Sequence, residues 1–226
     1  FFANNIIKKF IKPKLDNNDK VILIILDCLR LDQWKILSNH LYPYFRINNE
    51  CYLSLLPTTT FVSRNALFSG KLPLEIQESY PNISAKMLKD KKSLNSYEDF
   101  LLKEQLSELG NNNSVCYTKI SNYKQGMRFL KKIDEYRNVD FITVVINFID
   151  ILTHSRLESS FIKEILPNHA AQRNIINTWF QDSWLFDMLK KITEWNSRNI
   201  YITSDHGSTI SNRPIIVKAD KSSSTG

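Results

Sequence analysis

The sequence predicts an α/β fold with a parallel-type central sheet and helices on both faces. A continuous apolar run, residues 21–26 (Val-Ile-Leu-Ile-Ile-Leu), and a second, mostly apolar one, residues 141–148 (Phe-Ile-Thr-Val-Val-Ile-Asn-Phe), read as strands of the kind buried on both faces in parallel sheets. Strand-like runs alternate along the chain with stretches of helical spacing, the order that builds helix-covered parallel sheets. At 226 residues, 42% hydrophobic and 23% charged, the chain is long enough for one such domain and ordinary enough to be globular.

The elements follow in order. Residues 1–15 carry Phe2, Ile6, Ile7, Phe10 and Ile11 at helical spacing and stop at Pro13, so residues 1–20 read as a helical lead-in to a domain spanning 21–226. After the first strand, 29–41 reads as a helix and 51–56 as a second strand. The run Pro57-Thr58-Thr59-Thr60 then leads into a short helix, 61–69, closed by Gly70. Residues 71–95 have mixed composition and read as an irregular excursion. Residues 97–109 read as a helix ended by Gly110, 114–120 as a strand and 123–133 as a helix. After the strand at 141–148, helices are expected at 155–166 and 170–196, and a last strand at 199–203 runs into Asp205-His206-Gly207. The serine-bearing tail, 221–226, reads as a truncation or the start of a loop.

Bulk properties narrow the function classes. The net charge of +7 comes from scattered lysines, and short runs such as 89–92 read as solvated surface more readily than as a nucleic-acid groove, although a basic field attracts phosphorylated substrates. Cys28, Cys51 and Cys116 are odd in number and lack CxxC spacing, as expected of reduced apolar fillers in a cytoplasmic protein. No apolar run reaches membrane-spanning length, and the N-terminus lacks the apolar core of a signal peptide, so no membrane partner is expected.

The chemistry gathers at strand ends. Asp27, the threonines 58–60, Asp150 with His154, and Asp205 with His206 each lie at or just beyond a strand-like run, and a parallel sheet brings such ends to one edge. Asp27 alone reads more readily as a helix cap. Asp150 and His154 are four apart, which puts both on one face of a helical turn. Carboxylate oxygen and imidazole nitrogen together are common ligands of zinc and similar divalent ions.

Four stretches carry a resemblance: 26–34 (Leu-Asp-Cys-Leu-Arg-Leu-Asp-Gln-Trp), 56–70 (Leu-Pro-Thr-Thr-Thr-Phe-Val-Ser-Arg-Asn-Ala-Leu-Phe-Ser-Gly), 147–154 (Asn-Phe-Ile-Asp-Ile-Leu-Thr-His) and 203–207 (Thr-Ser-Asp-His-Gly). Together the chain resembles the PglZ domain of the alkaline phosphatase superfamily, most of all the effector domain of PorX-type response regulators. The resemblance implies an alkaline phosphatase-like fold and a cytoplasmic, metal-dependent phosphodiesterase that serves as output domain of a two-component regulator. It implies two divalent ions, zinc first, with manganese able to use the same ligands. Asp27, Thr60, Asp205 and His206 would hold one ion, and Asp150 and His154 the other. Thr60 would be the nucleophile, although Thr58 and Thr59 carry the same side chain. Arg64 would brace the nucleophile or a phosphate oxygen, or else form a surface ion pair. Asn65 would donate to a phosphate oxygen or make cap or core contacts, and Arg30 and Asp32 would support the ligands or lie on the helix surface.

The implied partners are a phosphodiester substrate, such as a short or cyclic oligonucleotide, together with regulatory proteins and a second copy in a homodimer. The superfamily usually supplies a further histidine to the second ion about forty residues beyond the Asp-His pair. Here only His40 and His169 remain, at positions that do not match. That shortfall keeps open a non-catalytic module that binds a nucleotide or partner. A sulfatase is excluded, because its nucleophile is cysteine or serine with proline two places on, where this chain has Thr60 and Val62.

Overall fold

The computed structural model describes residues 1–89, 94–195 and 198–209; residues 90–92 of the basic run, the last residue of the expected 170–196 helix and the 221–226 tail lie outside the described residues. Four strands form one sheet: β1 (Lys20–Leu26), β2 (Val115–Ile120), β3 (Phe141–Ile146) and β4 (Arg198–Thr203), in the order β2-β3-β1-β4. Every pairing is parallel. This is the expected α/β architecture, consistent with an alkaline phosphatase-like fold.

The central strand explains the sandwich. Ile22, Ile24 and Leu26 of β1 enter one core with α2 (Leu31–Leu41), α7 (Tyr123–Lys132), α10 (His169–Gln181) and α11 (Trp184–Ile192). Val21, Leu23 and Ile25 enter the other, with the N-terminal turns, α3 (Thr60–Ser69) and α6 (Glu98–Glu108). Alternate side chains of a strand point to opposite faces, so an unbroken apolar run is what two-sided burial demands. Burying each such aliphatic chain stabilises the fold by about 1.5–3 kcal/mol before entropy is counted.

The N-terminal segment is helical. A 3₁₀ turn (Ala3–Asn5), a π turn (Ile7–Ile11) and α1 (Lys12–Asp16) bury Ile7, Ile11 and Leu15 against the sheet. Other segments depart from the sequence reading. Residues 51–56 form no strand; they meet the N-terminus through the bridge Phe2–Leu53, the Leu53 amide donating to the Phe1 carbonyl and the Tyr52 ring stacking on Phe1. Leu53 and Leu56 are exposed, so the apolar alternation there has no sheet to join. Residues 71–89 are ordered helices, α4 (Pro73–Ser79) and α5 (Pro81–Lys89), each opened by a proline whose fixed φ suits the first helical turn.

Two further expected helices are each divided. The expected 155–166 helix is α8 (Phe148–Glu158) and α9 (Ser160–Ile165), where the Ser159 side chain caps the second. The 170–196 stretch breaks between α10 and α11, where the Ser183 hydroxyl accepts from the Phe186 amide. No helix of the described residues is long and apolar enough to cross a membrane.

Register sets the site. Leu26 pairs with Ile146, Ile146 with Ile120, and Ile25 with Thr203, so the strands finish at one level. The residues beyond each strand therefore emerge on the same edge.

Candidate metal centre

Asp27 follows β1, and its amide donates to the Ile146 carbonyl at 3.0 Å, which fixes the carboxylate at the sheet edge. Cys28 then turns with φ of 67°, a left-handed conformation uncommon for a side chain of this type. The turn aims the Cys28 amide at Asp205 Oδ1, 3.3 Å away, and the His206 amide donates to the same oxygen at 2.9 Å. Asp205 is thus anchored by one oxygen. Asp27 is anchored similarly, its Oδ2 accepting from Arg64 at 2.6 Å.

The other oxygens are open. Asp27 Oδ1 and Asp205 Oδ2 are buried and have no hydrogen-bond partner, although such groups are costly to leave unpaired. His206 Nε2 lies 3.6 Å from the first and 3.9 Å from the second. Thr60 Oγ1, at the start of α3, lies 2.9 Å from the same nitrogen. His206 Nδ1 is 2.9 Å from the Gly207 carbonyl. That contact suits the tautomer with its proton on Nδ1 and a lone pair on Nε2, the usual arrangement of a metal-bound histidine. Donors bonded to one tetrahedral cation at about 2.1 Å stand about 3.4 Å apart. The spacing and chemistry of these residues therefore fit a divalent ion.

Asp150 adjoins the group. Its carboxylate, Asp27 and His206 offer ligand atoms all within 4.8 Å of one another. His154, one turn along α8, is 3.4 Å from Asp150 through Nε2 but is 66% exposed. Three of the four sequence clusters thus converge closely around Asp27, Thr60, Asp205 and His206, and the fourth delivers Asp150 to their side, with His154 at the rim.

The electrostatics fit a cation site. Burial and the neighbouring Asp27 push the Asp205 carboxyl up to about 7, and the same two causes raise Asp150. Burial opposes protonation of His206, but the Cys28 side chain and Asp205 outweigh it and carry its pKa up to about 10. The same negative surroundings favour a metal ion, which would take the place of the proton on His206 Nε2.

A search of the curated proteins finds no match. A family model does match: BREX system PglZ alkaline phosphatase-like domain, over residues 6–225. The chain belongs to the PglZ family. An alkaline phosphatase-like PglZ domain points to a metal-dependent hydrolase of phosphoesters, and domains of this kind usually bind divalent metals, in keeping with the Asp27, Asp150 and His206 group.

The remaining sequence candidates of this PglZ domain occupy supporting positions. Arg64 is 1% exposed, and its guanidinium meets Asp27, Glu98 and Asp205, a buried network rather than a surface pair. Asn65 donates to the Leu94 carbonyl, a contact within the fold. Arg30 grips Asp32 through Nε at 2.9 Å and Nη2 at 3.0 Å, and reaches Gln172 on α10 at 2.5 Å. Thr58 is exposed and the Thr59 side chain makes no capping bond, so of the three threonines Thr60 is the one whose hydroxyl meets a candidate ligand. His40 pairs with Asn177 on α10, and His169 opens that helix.

Sequence reasoning missed Glu98, Tyr117, Lys119 and Ser54. Ser54 donates to the Asp205 carbonyl at 2.7 Å and steadies the Asp-His turn. Tyr117 and Lys119 stand two apart on β2, so both reach Glu98 from one face, and polar residues in a strand were the available signal. Beside the site, a cavity of about 950 Å³ runs along β4, an edge strand among the described residues, past Trp34, Tyr52 and Arg30 to His206.

Proposed function

We propose that this domain is a metal-dependent phosphodiesterase that works through Thr60. The observation that carries the proposal is the convergence of two open carboxylate oxygens and an imidazole nitrogen, with the Thr60 hydroxyl 2.9 Å from that nitrogen. Asp27, Asp205, His206 and Thr60 would hold one divalent ion, and Asp150 with His154 a second. Bound there, divalent ions would lower the pKa of the hydroxyl and neutralise charge on the phosphate.

The chain's own residues do the rest. Thr60 Oγ bonds to phosphorus as the bond to the leaving alcohol oxygen breaks; the hydroxyl proton passes to solvent and the alcohol takes one up. Water then cleaves the phosphothreonine and restores Thr60. The first amides of α3 favour the developing negative charge at Thr60. Asp205, held by two amides, keeps the His206 turn fixed through both steps.

The regulatory setting, the output unit of a PorX-type two-component system, rests on motif resemblance. The BREX system named in the matched family's description supports a second setting with the same site chemistry. The exposure of His154 favours one other reading, a nucleotide-binding module without turnover. Chromogenic phosphodiester and phosphomonoester substrates, assayed with zinc or manganese and with chelator, separate these. Chelator-sensitive diester turnover that Thr60→Ala abolishes is expected. No such turnover, with nucleotide binding that survives chelation, establishes the module instead.

A further inference from the structure

Behind the open oxygens, buried charges lie in a line. Arg64 Nε is 2.6 Å from Glu98 Oε1, and Arg64 Nη1 is 2.6 Å from Asp27 Oδ2 and 3.6 Å from Asp205 Oδ2. Glu98, 1% exposed at the start of α6, accepts from the Tyr117 hydroxyl and lies 3.6 Å from Lys119 Nζ. A fully buried carboxylate is expensive, and an apolar side chain of similar size would fill the place at lower cost. Its effect on Arg64 accounts for it. With only Asp27 and Asp205 as partners, the guanidinium would be drawn to bridge both, covering Asp205 Oδ2, one of the two oxygens a cation needs. Its charge, offset only by the two carboxylates a cation needs, would also repel a dication beside it.

We propose that Glu98 is a positioning residue for the cation site. It neutralises Arg64 and draws it back onto the far oxygen of Asp27. The open oxygens stay open, and the cluster keeps the negative charge that binds a divalent ion. Glu98 touches no candidate ligand and acts on the site through Arg64. In sequence it passes for an ordinary acidic residue in a helix's first turn.

The inference rests on the metal-site reading, and one titration series separates the two. The full chain is stripped with chelator, checked for folding by circular dichroism, and titrated calorimetrically with zinc or manganese ions. Wild type binds the ion; Glu98→Gln binds it at least about tenfold more weakly, because the guanidinium is no longer neutralised. The double variant Glu98→Gln, Arg64→Gln removes both charges and returns to within about threefold of wild type. A role in packing alone predicts no such recovery.

Unchanged affinity in Glu98→Gln overturns the inference, and so does a double variant no better than the single. If Glu98→Gln does not fold, the double variant measured against wild type still decides, a loss beyond about tenfold overturning the charge argument. Absence of ion binding by wild type overturns the metal-site reading and this inference with it.

Discussion

Replacing Arg64 with methionine removes the guanidinium while keeping most of the side-chain bulk. Arg64 and its partners Asp27, Glu98 and Asp205 are all at most 2% exposed through their side chains, so the variant leaves three buried carboxylates without their shared counter-charge. Breaking a buried pair in this way costs about 3–5 kcal/mol. An exposed pair would be worth about 0–1 kcal/mol. At about 2–4 °C per kcal/mol for a chain of this size, the melting temperature should fall by about 6–20 °C. Urea denaturation and calorimetry of metal-stripped protein measure both quantities. Saturating divalent ion should recover part of the loss, since a cation can oppose Asp27 and Asp205 but cannot reach Glu98. A loss below about 1 kcal/mol without metal would refute the reasoning, because the network would then behave as a solvated one.

A divalent ion at a hundredfold excess over its dissociation constant should raise wild-type stability by about 2.7 kcal/mol. Asp27→Asn should lose most of that gain in the same thermal-shift assay, and an equal gain would remove Asp27 from the ligand set. Gly126→Ala should destabilise by about 1–3 kcal/mol, because a Cβ there would meet the Trp184 indole at 2.1 Å; an unchanged urea midpoint would show that the helix contact yields freely. Burial works to raise the Asp32 pKa, but hydrogen bonds from Arg30 and Arg173 hold it at about 2, below its usual 3.8. The stability from this cluster should therefore be complete above pH 3.8 and fade as pH falls through about 2, in a pH series of urea midpoints compared with Asp32→Asn. A difference between wild type and variant that persists below that range would count against it.

Much of the sheet was legible because its chemistry is one-dimensional. β1 is apolar from Val21 to Leu26 and β3 is apolar but for Thr143, and two-sided burial is the reading that fits them. Residues 51–56 show the limit of that reasoning. Cys-Tyr-Leu-Ser-Leu-Leu looks strand-like, yet a strand needs a free edge of matching register, and here the segment serves to carry Ser54 to the Asp205 carbonyl. The helices in 73–89 were marked by Pro73 and Pro81, but their mixed composition hid the signal. In the site, Asp27, Asp205 and His206 could be named because each follows a strand, whereas Thr60 was separated from Thr58 and Thr59 by the motif resemblance alone. Glu98 could not be named. Its role depends on Arg64 approaching from another helix, a tertiary fact that local pattern does not encode.

The placement of β1 between β3 and β4 has a consequence for assembly. Among the described strands, β1 lies between two partners that follow it in the chain, and it can pair with them only after residues 141 and 198 have been added. Such distant pairings make for slow folding. Asp27 and Thr60 therefore wait with their counterparts missing until the Asp205–His206 turn docks beside them. Ion capture consequently reports that β4 is in register, and a divalent metal titrated into refolding protein should bind in step with the docking of β4 rather than with the initial collapse.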